Sequence, residues 1–162
     1  MKQKKTIIIT IVILLAAVIA VLAIANRNNS DDRPGLIINS AGNEIHIAWE
    51  DIDIKEFEGD LVNGKGEVSH SVYEGAELLS ILKDNGIELS DDAVVTAIAE
   101  DNYAAELNGA ELIEDGKVYV AMRQDGEMIE DIEGGQGAQL IVFGDSNSKR
   151  AVRYLKTISI EQ

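Results

Sequence analysis

Cysteine is missing from all 162 residues, and its absence removes disulfides, thiolate metal ligands, covalent haem attachment, a nucleophilic thiol and the lipidated cysteine of a lipoprotein. Aromatic residues are scarce. Two Phe, four Tyr and one Trp stand in a chain that is 46% hydrophobic, so its core is built mostly from Ile, Leu, Val and Ala. Positive charge is heavily outnumbered. Lys2, Lys4 and Lys5 precede a long apolar run, and the eleven Lys and Arg that follow it meet 29 acids, a net of −18 beyond residue 25. Such a surface repels nucleic acid and disfavours anionic lipid, while cations or a basic partner are tolerated.

What is present begins with Thr6 to Ala25, twenty residues without a charge. As a helix at about 1.5 Å per residue, that run spans roughly 30 Å, the thickness of a bilayer's hydrocarbon. The three preceding lysines keep the N-terminus in the cytoplasm and send residue 26 onward outside. Ala23-Ile24-Ala25 also fits a signal-peptidase site, but the run exceeds the roughly 7 to 15 apolar residues of a cleaved signal. An uncleaved anchor is therefore the preferred reading, with cleavage after Ala25 as the alternative. Both export the domain. The sequence divides into a signal anchor or transmembrane helix at 1–25, a polar spacer at 26–34 and one extracytoplasmic domain at 35–162.

Short strands dominate that domain. Leu36 to Ile38 and Glu44 to Trp49 flank Ser40-Ala41-Gly42-Asn43 and predict a hairpin. Asp51 to Glu58 fits helix or strand, leaning to strand near its end. Val62 to Glu67 is a Gly-bearing turn that joins this segment to a strand through Val68 to Tyr73. Ala76 to Asn85 places Leu78, Leu79 and Leu82 on one helical face, with Gly86 at the C-cap position. Val94 to Ala99 reads as a buried strand, Leu107 to Ile113 as a short helix, and Val118 to Met122, Leu140 to Phe143 and Ala151 to Ile160 as further strands. In the last, Val152, Tyr154, Ile158 and Ile160 share a face and Arg153 falls on the other. Many short strands, few helices and no βαβ alternation indicate an α+β domain with a mixed, mostly antiparallel sheet.

An anion needs a local exception to the acidic field, and one exists. Lys149, Arg150, Arg153 and Lys156 fall within eight residues, beside a Gly-rich turn and an apolar strand. Asp101 and Tyr103, at the end of a buried strand, are positioned to line a pocket or to cap a turn. The two histidines, His46 and His70, have no partner ligand at a metal-binding spacing, and the acidic run from Glu127 to Glu133 reads as a solvated face.

The order of segments from Glu56 to Ile160 resembles the oxidoreductase molybdopterin-binding domain, the sulfite-oxidase-type fold, in a small form. Tyr73 to Leu79 is similar to that family's aromatic-x-Gly-x-x-Leu entry into a helix, and Val94 to Tyr103 to its strand ending in Asp-Gly-Tyr. Gly135-Gln136-Gly137-Ala138-Gln139-Leu140-Ile141-Val142-Phe143-Gly144 follows the spacing of Gly-x-Pro-x-Arg-Leu-Val-Val-Pro-Gly. Val152-Arg153-Tyr154-Leu155 stands where the family has Val-Lys-Trp-Leu. The resemblance implies a cofactor-phosphate grip at Arg153, Lys149, Arg150, Gln139, Asp101 and Tyr103. It also exposes departures: Gln139 replaces the family arginine, Gly137 and Phe143 replace its prolines, Asn102 replaces a glycine, and no cysteine is present to ligate molybdenum. The implied function is a membrane-anchored binding or accessory module that keeps the scaffold without metal ligation, holding a small anion or docking on an envelope protein of a redox or assembly system. The alternative is an active oxidoreductase that binds molybdopterin or another organic cofactor without a protein thiolate.

Overall fold

Alternating apolar residues write most of the strands where the sequence predicts them. The computed structural model describes residues 33–114, 116–146 and 148–162. The expected membrane helix at 6–25 and the spacer up to residue 32 lie outside the described residues, and among those described no helix is long and apolar enough to cross a membrane. β1 (Gly35–Ser40) and β2 (Asn43–Ala48) form the first hairpin; β5 (Val94–Ala99) and β6 (Ala104–Asn108) form another. Between them runs β10 (Leu155–Glu161), parallel to β1 and antiparallel to β5, giving a five-stranded sheet in the order β2-β1-β10-β5-β6.

The second sheet is antiparallel throughout. β3 (Lys55–Val62) and β4 (Val68–Glu77) turn at Asn63, whose Oδ1 accepts the Lys65 and Glu67 N–H groups at 2.9 and 3.0 Å. β7 (Val118–Gln124) pairs with β4, and its other edge pairs in succession with β8 (Glu127–Met128) and β9 (Gln139–Val142). Helix α1 (Leu78–Asp84) buries the predicted leucines and ends at Gly86, φ 74°, with Ile87 N–H reaching back to the Leu82 carbonyl at 2.9 Å. Its start is later than predicted, because Ala76 and Glu77 pair with Val120 and Tyr119 as the last residues of β4. Helix α2 (Gly109–Ile113) is capped by Asn108, whose side chain accepts the Glu111 N–H at 2.8 Å.

Neighbouring residues of a strand point to opposite faces, and the second sheet covers both of its faces. Val118, Val120 and Leu140 meet Leu36, Ile38, Val95 and Ile158 of the first sheet, and Leu78 and Leu82 of α1, in one aliphatic core. Ala121 and Ile141 turn the other way and pack with Tyr73, Phe57, Tyr119 and Phe143. Phe57 and Tyr119 stack with centroids 4.1 Å apart. The few aromatics are thus concentrated on the outer face of the second sheet, leaving Trp49 as the buried aromatic of the main core.

The closing strand departs from its predicted alternation. β10 begins at Leu155, not Ala151, because Tyr154 adopts φ 54° and the pairing with β5 shifts register between Leu155 and Thr157. Leu155 therefore joins Ile158 and Ile160 in the core, and Tyr154 is only half-buried. Just upstream, Val152 and Leu140 exchange both backbone hydrogen bonds, at 2.8 and 3.1 Å, and Leu155 N–H donates to the Ala138 carbonyl at 2.9 Å. Glu100 N–H donates to the Tyr154 carbonyl, also at 2.9 Å. These bonds join the two sheets along a seam, and Arg153 stands on it.

The β4–β7 pairing depends on close backbone approach at Gly75, where an added Cβ would lie 2.0 Å from the Val120 carbonyl oxygen and 2.8 Å from the Ala121 Cα. Backbone cannot yield as a side chain can. Gly75→Ala is expected to destabilise the domain by about 2 kcal/mol or more, read as a lower denaturant midpoint at constant m-value. Gly64→Ala, with nothing within 4 Å of the new methyl, is the near-neutral control.

Candidate functional site

Four of the six residues selected from the sequence come together. Asp101, Tyr103, Gln139 and Arg153 line one cleft of about 380 Å³ at the seam. The turn between β5 and β6 supplies the first two. Asn102 at its apex takes φ 67°, the left-handed conformation open to glycine and tolerated by Asn, and stands where the family pattern has glycine. Asn102 N–H donates to the Ala99 carbonyl at 3.0 Å, and Tyr103 N–H donates to Asp101 Oδ1 at 3.0 Å. Asp101 therefore caps its own turn while bordering the cleft. Gln139 opens β9, and Arg153 lies in the segment that crosses from β9 to β10.

Arg153 is chemically distinct from the other described arginines. Arg33 pairs with Glu50 and Asp51, Arg123 pairs with Glu74 at 3.2 Å, and Arg150 pairs with Glu111 and Asp145. Arg153 is exposed and makes no hydrogen bond or ion pair among the described residues. A guanidinium carries five N–H donors in a planar fork suited to carboxylate or phosphate. In a strongly acidic domain, an arginine that pairs with no carboxylate among the described residues is available to an external anion.

Arg150 and Lys149 stand differently. The Arg150 fork is filled: Nη1 and Nη2 donate to the two Glu111 carboxylate oxygens at 2.6 and 2.8 Å, while Nε donates to Asp145 Oδ2 at 2.9 Å and Nη2 also donates to Asp145 Oδ1. Lys149 offers its backbone carbonyl to the Tyr103 hydroxyl. The pair thus act as scaffold, tying the turn Ser148–Arg150 to α2 and to the β5–β6 turn. Hydrogen bonding to Arg150 holds the Glu111 carboxyl below its ordinary range, with Lys117 adding to the effect, and the hydrogen bonds to Asp145 and then Glu111 push the Arg150 guanidinium further up.

Sequence reasoning missed the opposite wall. Tyr73 and Gln124 are cross-strand partners of β4 and β7, and together with Asn63, Ser69 and Tyr154 they line the cleft. Tyr73 and Tyr154 stand in the family motifs without being marked there as cleft residues, Gln124 is signalled only by polar character at the end of β7, and the meeting of Tyr73 with Gln124 depends on the register of the second sheet. Burial pushes the Tyr73 hydroxyl up, keeping it a neutral donor. The polar side chains around the cleft are amides, hydroxyls, phenols, one carboxylate and one guanidinium; no thiol or imidazole lines it. Among the described residues no group of three or more His, Cys, Asp or Glu is arranged to hold a metal ion. His70 instead pairs with Asp60 at 2.7 Å across β3 and β4, and does not line the cleft. The residues present do not fit a thiolate-held molybdenum, but they do fit a small anion.

The Arg150–Glu111 contact yields a prediction with a definite sign in pH. Because the folded Glu111 carboxyl titrates below its ordinary range, its contribution to stability is present above the unfolded carboxylate pKa and is lost as pH falls through the folded value. Glu111→Gln is expected to cost about 1 to 3 kcal/mol at neutral pH. Denaturation curves of variant and wild type should converge in acid, once Glu111 is protonated in both states of the wild type.

No protein-family model and no curated protein matches the sequence. A solved structure does match: the sulfane dehydrogenase SoxCD from Paracoccus pantotrophus, at a TM-score of 0.62 and 15% identity, over 78% of this chain and 37% of that one. The chain thus spans just over a third of the length of that structure. At this identity the likeness shows the fold alone: a mixed α+β architecture, mostly antiparallel.

Proposed function

We propose that the chain is a membrane-anchored, extracytoplasmic binding or accessory module that keeps a molybdopterin-binding-type scaffold without metal ligation and holds a small anionic ligand at Arg153. The observation that carries this reading is the unpaired Arg153 guanidinium in a cleft whose other walls offer neutral hydrogen-bonding groups. Gln139 and Gln124 orient a bound anion, while Asp101 and the Lys149 carbonyl hold Tyr103 as part of the wall. The apolar run 6–25 and the lysines before it support anchoring with the domain outside the membrane. An association with envelope redox chemistry comes from the fold shared with a sulfane dehydrogenase. With no thiolate anywhere in the chain, the scaffold serves binding in place of molybdenum catalysis.

Full-length protein purified from a host that makes the molybdenum cofactor is expected to contain neither stoichiometric molybdenum nor releasable pterin. Finding both would replace this reading with the oxidoreductase alternative. In thermal-shift titrations, inorganic phosphate at about ten times its Kd should raise the wild-type midpoint by about 4 °C. Arg153→Ala should remove that rise; equal shifts in the two proteins would take Arg153 out of the site.

A further inference from the structure

Arg153 does not end the cleft. With Gln124, Gln139 and Tyr154 it also borders a second cavity of about 380 Å³ that continues along β8 to Glu127, Met128, Ile129 and Glu130. The two lobes differ in character. On the first side the only carboxylate is Asp101, already engaged with the Tyr103 N–H. On the second side the exposed Glu127 and Glu130 side chains make no hydrogen bond or ion pair among the described residues. Asp131 also lines that lobe, but its Oδ1 accepts the Glu133 and Gly135 N–H groups at 2.9 and 2.7 Å. Met128, 41% exposed, and the half-buried Ile129 give the same lobe apolar surface.

We infer that this continuous groove takes a small zwitterion, with its anionic group on the Arg153 guanidinium and an organic ammonium against Met128 and the Glu127 and Glu130 carboxylates. The inference rests on the reading of Arg153 as an anion site and narrows its ligand. A dianion long enough to reach both lobes would put its second charge beside two uncompensated carboxylates, which like-charge repulsion opposes. A plain monoanion leaves the second lobe unused. A metal cation needs converging ligands, and none converge there among the described residues. An alkylated ammonium needs less: diffuse negative charge, together with a thioether and aliphatic surface for its methyl or methylene groups. The chemical class is a phosphate ester of an amino-alcohol, whether as a free monoester or as the diester of a lipid headgroup.

Calorimetric titration of the full chain in maltoside micelles with inorganic phosphate, phosphocholine and glycerophosphocholine tests this. Phosphocholine should bind about fivefold more tightly than phosphate, the scale of an exposed charge pair. The double variant Glu127→Gln, Glu130→Gln should lose that preference while still binding phosphate, and Arg153→Gln should lose both ligands. Glycerophosphocholine binding on a par with phosphocholine assigns the headgroup diester; failure to bind assigns the free monoester, and either result upholds the zwitterion site. Equal wild-type affinity for phosphate and phosphocholine, or a preference that survives in the double variant, overturns the inference and leaves the anion site standing. Wild-type protein that binds neither phosphate nor phosphocholine removes the anion reading and the zwitterion with it.

Discussion

The reciprocal backbone pair between Leu140 and Val152 is the contact on which the arrangement of this domain turns. β9 belongs to one sheet and β10 to the other, and the short stretch between them could have run free over the surface. Instead it is pinned at Val152, again where Leu155 N–H meets Ala138, and again where the Tyr154 carbonyl receives Glu100 N–H. Each bond is worth about 1 kcal/mol net, but an unmade one at a buried site would cost more. Val152 and Leu140 are both fully buried. Their pairing therefore closes the core and holds Arg153 facing outward between two satisfied neighbours.

Charge pairing completes what the backbone begins. The first requirement of an anion site in an acidic protein is that nearby carboxylates be kept off the receiving cation. Here Glu111 and Asp145 are drawn to Arg150, and Glu100 is drawn to Lys156 at 3.5 Å. The cluster of four cations that stands out in the sequence is a division of labour. One arginine organises the loop, one lysine neutralises an acid, one carbonyl locks a tyrosine, and one guanidinium is left open.

Much of the fold was legible because hydrophobic period and turn chemistry agree. The hairpins at Ala41-Gly42 and Asp125-Gly126, the α1 leucines with Gly86 behind them, and the strand at Val94 to Ala99 all carry local signals strong enough to survive folding. The last strand was misread because its alternation runs unbroken through Tyr154, whose left-handed backbone no composition rule anticipates in a bulky residue. Within the site, Arg153 stood out by its charge, Asp101 and Tyr103 by their place at a strand end, and Gln139 through the family pattern. The place of Tyr73 and Gln124 in the cleft was not legible, since only the pairing of β4 with β7 brings them together. Arg150 and Arg153 look alike in sequence and differ in the structure because Glu111 arrives from a distant helix.

The parallel pairing of β1 with β10 sets the order in which this domain can assemble. Ile37 lies against Thr157, so the central strand of the first sheet comes from the far end of the described chain. Until it arrives, the β1–β2 and β5–β6 hairpins have nothing between them, and each has an open edge. Contacts of such long sequence separation raise the entropic cost of the folding transition state and slow it. An emerging chain must therefore keep two apolar hairpins apart until β10 is made, so the first sheet cannot close before that strand has emerged.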